Sequence, residues 1–185
     1  MGIHYLLGAD TAWGKTGSFN DAVVVRFDKG EEVAELHGHF QTDEMAFQIL
    51  QLHKKYNHAY MMLERAGEGQ ERDGASVVVV DLVEELLKEC GCYGRLFYHD
   101  WESKEPKKPG WQTDRNSRPY MLEEYKTAVR LRATVVYNRA AIAEMMNFQL
   151  NDKGRAEAIE GAHDDRVMAR AICWQGHDHA RFTST

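Results

Sequence analysis

Hydrophobic residues change their spacing at Thr42-Asp43. Before that point they alternate: Ile3, Tyr5 and Leu7, then Ala22 to Phe27 with three valines in a row, then Ala34, Leu36, Gly38 and Phe40 with Glu35, His37, His39 and Gln41 between them. Period two marks strands, and the turn Asp28-Lys29-Gly30 is short, so the first forty residues read as three antiparallel strands. After it, Met45, Ile49, Leu52 and Tyr56 recur at helical spacing. A meander that gives way to alternating helix and strand implies one α/β domain, with antiparallel strands first and parallel strands after.

The remaining pattern extends that plan. Ala59 to Leu63 is wholly apolar and ends at Glu64, as a buried central strand would. Val79, Val83, Leu86 and Cys90 predict a helix stopped by Gly91, and Leu96 to Tyr98 predicts another strand. Trp101 to Ser117 reads as a long irregular loop. Pro119 opens a helix carrying Leu122, Tyr125 and Val129, Thr134 to Tyr137 is β-rich, and Asn138 caps a helix running to Met146. Phe148 to Ile159 reads as a hairpin around Asp152-Lys153-Gly154. The last helix follows Asp164-Asp165 and has Val167, Met168, Ala171 and Ile172 on one face.

At 185 residues, residues 1–185 form a single domain with ample core. No apolar run approaches the ~20 residues of a membrane span. Three cysteines form no paired framework, and Cys90-Gly-Cys92 lacks the C-x-x-C spacing of redox or zinc sites, which points to a reducing compartment. A net charge of −6 argues against holding nucleic acid by bulk charge, though it leaves room for a local basic strip.

One motif misleads. Ala9-x-x-x-x-Gly14-Lys15-Thr16 resembles a phosphate-binding loop, with Val77 to Asp81 as its metal-holding strand. Such a loop needs a helix directly after Lys-Thr, whereas Gly17-Ser18-Phe19-Asn20 and a valine run follow here. An NTPase is therefore the weaker alternative. The pairs His37/His39 and His177/His179 read as solvent-facing side chains.

The acids at element ends carry more. Asp10 closes the first strand, Glu64 closes the central one, and Asp164-Asp165 opens the final helix. Each alone is ordinary strand-end or cap chemistry. Brought together they would repel one another unless divalent cations neutralised them, which is the logic of two-metal phosphodiester hydrolysis with ions ~3.5–4 Å apart.

These residues also carry a resemblance. Gly8-Ala9-Asp10-Thr11-Ala12, then Gly110-Trp111-Gln112-Thr113 with Arg118-Pro119-Tyr120-Met121, then Gly161-Ala162-His163-Asp164-Asp165-Arg166-Val167-Met168-Ala169, resemble the C-terminal nuclease domain of tailed-phage terminase large subunits, an RNase H-like fold. The resemblance spans nearly the whole chain. It implies a mixed sheet flanked by helices and an endonuclease that cuts concatemeric viral DNA during packaging, using two Mg²⁺ or Mn²⁺ ions. It implies Asp10, Glu64 and Asp165 as catalytic metal ligands, Asp164 as a further ligand, and Asp21 and His163 as auxiliary. The chain departs from the family at Arg65-Ala66-Gly67, where the family commonly has Asn near the second acid. It further implies an excised nuclease domain beginning at Met1-Gly2, without the family's ATPase domain. Partners would be double-stranded DNA, the portal, the small terminase subunit and that ATPase domain, in the host cytoplasm and away from membranes.

In that setting Lys104, Lys107, Lys108, Arg115 and Arg118, interleaved with Trp101, Trp111 and Tyr120, read as a strip holding the phosphate backbone. The competing reading is a catalytically silent module that docks on DNA or a partner.

Overall fold

Tyr5–Asp10 (β1) pairs antiparallel with Asn20–Arg26 (β2), which pairs antiparallel with Glu32–Gly38 (β3), and these are the predicted meander strands. The computed structural model describes residues 2–12, 19–66, 74–99, 107–151, 154 and 156–182. Lys15-Thr16, Trp101, Lys104 and Asp152-Lys153 lie outside them. Helix α1 (Thr42–Lys55) starts at Gln41 through a capping box, with the Gln41 amide donating to Glu44 Oε2 at 3.0 Å. It crosses over to Tyr60–Ala66 (β4), which lies parallel to β1. Ala75–Glu89 (α2) follows and contains Val77 to Asp81, so the supposed metal-holding strand of an NTPase is helix.

The fifth strand is not the predicted one. Leu96 makes a single bridge to Met61, and Tyr98–His99 (β5) forms its ladder with Lys108–Pro109 (β6), with one further bridge from Tyr98 to Gly110. The place beside β4 goes to Trp111–Thr113 (β7), inside the segment read as loop. Three residues are too few to show a period, so pairing with Glu64, Arg65 and Ala66 decides their conformation. Ser117–Arg130 (α3) and Arg139–Met146 (α4) follow, the latter capped by Asn138 Oδ1, which accepts from the Ala140 amide at 2.7 Å. Thr134 to Tyr137 is no strand and makes one bridge, Val135 to Glu31. Phe148–Leu150 (β8) and Ala156–Ala158 (β9) form the predicted hairpin, and Asp165–His179 (α5) closes the described chain. The central sheet runs β3-β2-β1-β4-β7, a mixed RNase H-like sheet between helices. Among the described residues, no helix is long and apolar enough to cross a membrane.

Strand alternation divides the core. Leu7, Ala9, Ala22, Val24, Met61 and Leu63 pack under α1 and α2. Leu6, Val23 and Met62 point the other way, toward α5 and α3. Gly8 lets α5 approach, because a Cβ there would sit 2.3 Å from Cys173 Cβ and 2.5 Å from the Ala169 oxygen.

Candidate metal centre

The alternation that turns Leu6 and Gly8 toward α5 turns Asp10 the same way. Ala9 pairs with Leu63 in the parallel register, so the next residues along, Asp10 and Glu64, lie side by side. Asp10 ends β1, but β4 runs two residues past Glu64, to Ala66, because β7 pairs with it there. The close approach of α5 at Gly8 carries the start of that helix, Asp164 and Asp165, over the same strand ends. Asp10 is held well above the ordinary carboxylate range, first by desolvation, then by Glu64, which is within hydrogen-bond reach, and by Asp165 and Asp164. Burial, with Asp164 beside it, pushes Asp165 up to about 6. Asp165 Oδ2 is buried without a hydrogen bond, and His163 Nδ1 stands 3.6 Å away. The structure thus brings together Asp10, Glu64, Asp164 and Asp165, with His163 at the margin.

Asp21 belongs elsewhere. Its backbone pairs with Asp10, yet its fully buried carboxylate meets His37 Nδ1 at 3.1 Å and Arg170 at 3.6 Å. Burial lifts it to about 6, against the opposing pull of His37 and Arg170. Arg170, 2% exposed, also binds Glu32 at 2.6 Å and Glu35 at 3.3 Å, while Arg166 binds Glu35 at 3.0 Å and Glu144 at 2.6 Å. The sequence reading passed over this network. Its only local trace is Arg166 and Arg170, four apart on an otherwise apolar helix face. The reading of His37 as solvent-facing fails for the same reason, since Asp21 holds its ring. His177 is likewise half-buried, stacked on Phe27 and tilted against Trp174.

No family model matches the chain, and no curated relative matches its sequence. Solved structures do match. The large terminase nuclease of thermophilic phage G20c, with bound magnesium, superposes with a TM-score of 0.65 at 18% identity, covering 94% of this chain and 81% of that one. The chain has the terminase nuclease fold. The large terminase nuclease domain of Thermus phage P74-26 gives 0.63 at 17% identity, over 99% of this chain and 84% of that one. The Mn-soaked, inhibitor-bound terminase nuclease domain of human cytomegalovirus gives 0.58 at 14%, over 96% and 84%.

In this terminase nuclease fold the four acids fit a divalent cation by donor chemistry. They are all-oxygen, mutually repelling, and one of them presents an unsatisfied buried oxygen. Their oxygens are spread more widely than a tight single-ion cage. Among the described residues, the trio of His, Cys or acidic ligand atoms within 4.8 Å of one another is His53, His58 and Cys92.

The predicted basic strip is only partly realised. Lys107 and Arg115 are exposed and Lys108 is half-buried in β6. Trp111, at 6% exposure, packs against Met62, Phe97 and Met121 in the core, because β7 turns its side chain inward. Arg118, at 7%, binds Asp164 Oδ2 at 3.0 Å and the Ala156 oxygen at 3.1 Å. Trp111 and Arg118 are therefore corrected from surface contacts to buried supports, and Arg118 holds one of the four acids in place.

Proposed function

We propose that this chain is a metal-dependent endonuclease of viral DNA packaging. The observation that carries the reading is the meeting of Asp10, Glu64 and Asp165, from β1, β4 and the first residue of α5, inside a terminase nuclease fold. Those three carboxylates would hold the cations, with Asp164 as a further ligand oriented by Arg118. Two divalent ions, when bound, supply an activated water and stabilise the leaving 3′ oxygen of a phosphodiester.

The side chains do the remaining work. Asp10 and Glu64, fixed on paired strands, present oxygens with little freedom to relax. Asp165 keeps Oδ2 turned inward and unspent on protein hydrogen bonds. His163, 3.6 Å from that carboxylate, would be auxiliary to it. Lys107, Lys108 and Arg115 would meet phosphates of the duplex without reading bases. Asp21, fully buried between His37 and Arg170, would be auxiliary, steadying β2 where it pairs with Asp10. The working partners would be double-stranded DNA and, in a full-length large subunit, the portal, small subunit and ATPase domain, in the host cytoplasm.

Supercoiled plasmid incubated with Mn²⁺ is the test. Asp10→Asn, Glu64→Gln and Asp165→Asn should each lower cleavage on the order of a hundredfold or more, since a lost ligand removes several kcal/mol of transition-state stabilisation. Far-UV circular dichroism should stay unchanged. Chelator should stop the parent protein. A single variant that cleaves normally leaves the site, and a parent protein inert with Mn²⁺ would return the fold to the docking-module reading.

A further inference from the structure

A second cluster stands at the other end of β4, under α1 and α2. His53 lies in the last turn of α1, His58 in the turn that follows, and Cys92 just beyond α2. His53 is 1% exposed, and its Nδ1 lies 2.9 Å from the Ala59 carbonyl oxygen. A carbonyl only accepts, so Nδ1 carries the proton and Nε2 keeps a free lone pair. That lone pair faces His58 Nδ1 at 3.1 Å. Burial above all pushes the imidazolium of His53 down to about 4.

The surroundings look built for that arrangement. Asn57 and His58 both hold positive φ, 52° and 55°, which non-glycine residues rarely adopt. The Asn57 side chain pins the turn by donating to the Ile3 oxygen at 2.9 Å. A ligating histidine whose other nitrogen donates to a carbonyl is the usual outer-shell arrangement of metal sites. The His-x₄-His spacing also falls within that of structural zinc sites.

We propose that His53, His58 and Cys92, whose ligand atoms lie within 4.8 Å of one another, bind a Zn²⁺-class cation and so tie the end of α1 to the end of α2. Two imidazoles and a thiolate favour Zn²⁺ or Co²⁺ over the Mg²⁺ and Mn²⁺ suited to the all-oxygen acids. The protons balance simply. His53 ligates through Nε2 and stays neutral. The His58 proton moves from Nδ1 to Nε2, and the Cys92 thiol releases one proton to solvent for each ion bound. The Cys92 thiol now donates to the Cys90 carbonyl oxygen at 3.6 Å, a bond it would give up on ligation, while the Cys90 thiol is turned to the Leu87 carbonyl oxygen at 3.4 Å.

Co²⁺ titrated into the full chain under reducing conditions tests this separately from nuclease activity. The parent should show a thiolate-to-cobalt charge-transfer band saturating at one ion per chain. Cys92→Ser should abolish the band and His58→Ala should weaken Co²⁺ binding at least tenfold. Both positions are away from the deep core, so both variants should fold. Cys90→Ser and Asp165→Asn should keep the band, and Cys92→Ser should cleave DNA with Mn²⁺ as the parent does. Absence of the band in the parent, or its survival in Cys92→Ser, overturns the proposal.

Discussion

Asp10, Glu64, Asp164 and Asp165 form one cluster of four acids on the face of the sheet covered by α5, and Asp21, Glu32, Glu35 and Glu144 form another beside it. The second is matched by cations, since Arg166 and Arg170 reach all four of its members and His37 adds a contact to Asp21. The first receives Arg118 at Asp164 and the more distant His163 at Asp165, while Asp10 and Glu64 face each other. Both clusters draw on the same helix, because Asp165, Arg166 and Arg170 are all in α5. Identical side chains thus take opposite roles according to where the cations are supplied. A matched cluster is a structural joint. An unmatched one is a site waiting for charge.

Breaking the matched cluster should have the largest effect. Arg170→Met would leave Glu32 buried and uncompensated and Asp21 with His37 alone, and urea unfolding should show a loss of about 3–5 kcal/mol. Removing an acid from the unmatched cluster should do the reverse in chelator. Asp165 titrates at about 6 when folded against an ordinary 3.8, so the folded chain binds its proton more readily than the unfolded one. That contribution is fully present below about pH 4 and is lost as pH rises through about 6. Asp165→Asn should match the parent near pH 4 and exceed its stability at pH 7 by up to roughly 3 kcal/mol, with saturating Mn²⁺ favouring the parent again. The smallest effect concerns the approach of DNA. Lys107→Ala and Arg115→Ala should each weaken binding to unrelated duplexes alike and reduce the slope of log K against log salt by roughly 0.9. An unchanged slope would make those residues plain surface.

The sequence was most legible where one local pattern decided the outcome. Alternation showed β1 and β3, a valine run showed β2, and helical spacing showed α1, α2 and α5. Asp10 and Asp164-Asp165 stood out because they end or begin an element, and Glu64 because it ends the apolar run of β4, two residues before the strand itself stops. β7 escaped because Trp111-Gln112-Thr113 is too short to show a period and owes its conformation to β4. The burial of Trp111 and Arg118 escaped with it, and so their supporting role was misread as surface. Arg166 and Arg170 escaped for a different reason. Their acidic partners on β3 are 131 and 138 residues away in the chain, where no spacing argument reaches. His53, His58 and Cys92 were hidden likewise, since the cysteine joins the histidines only once α2 packs on α1.

Calorimetric titration of Mn²⁺ into the parent, Asp165→Asn and Glu35→Gln tests the contrast between the two clusters most directly. The parent and Glu35→Gln should bind Mn²⁺ alike, because Glu35 belongs to the cluster already neutralised by arginine, and Asp165→Asn should bind at least tenfold more weakly. Equal weakening by Asp165→Asn and Glu35→Gln, or Mn²⁺ binding untouched by Asp165→Asn, would contradict the assignment of the unmatched acids as the metal centre.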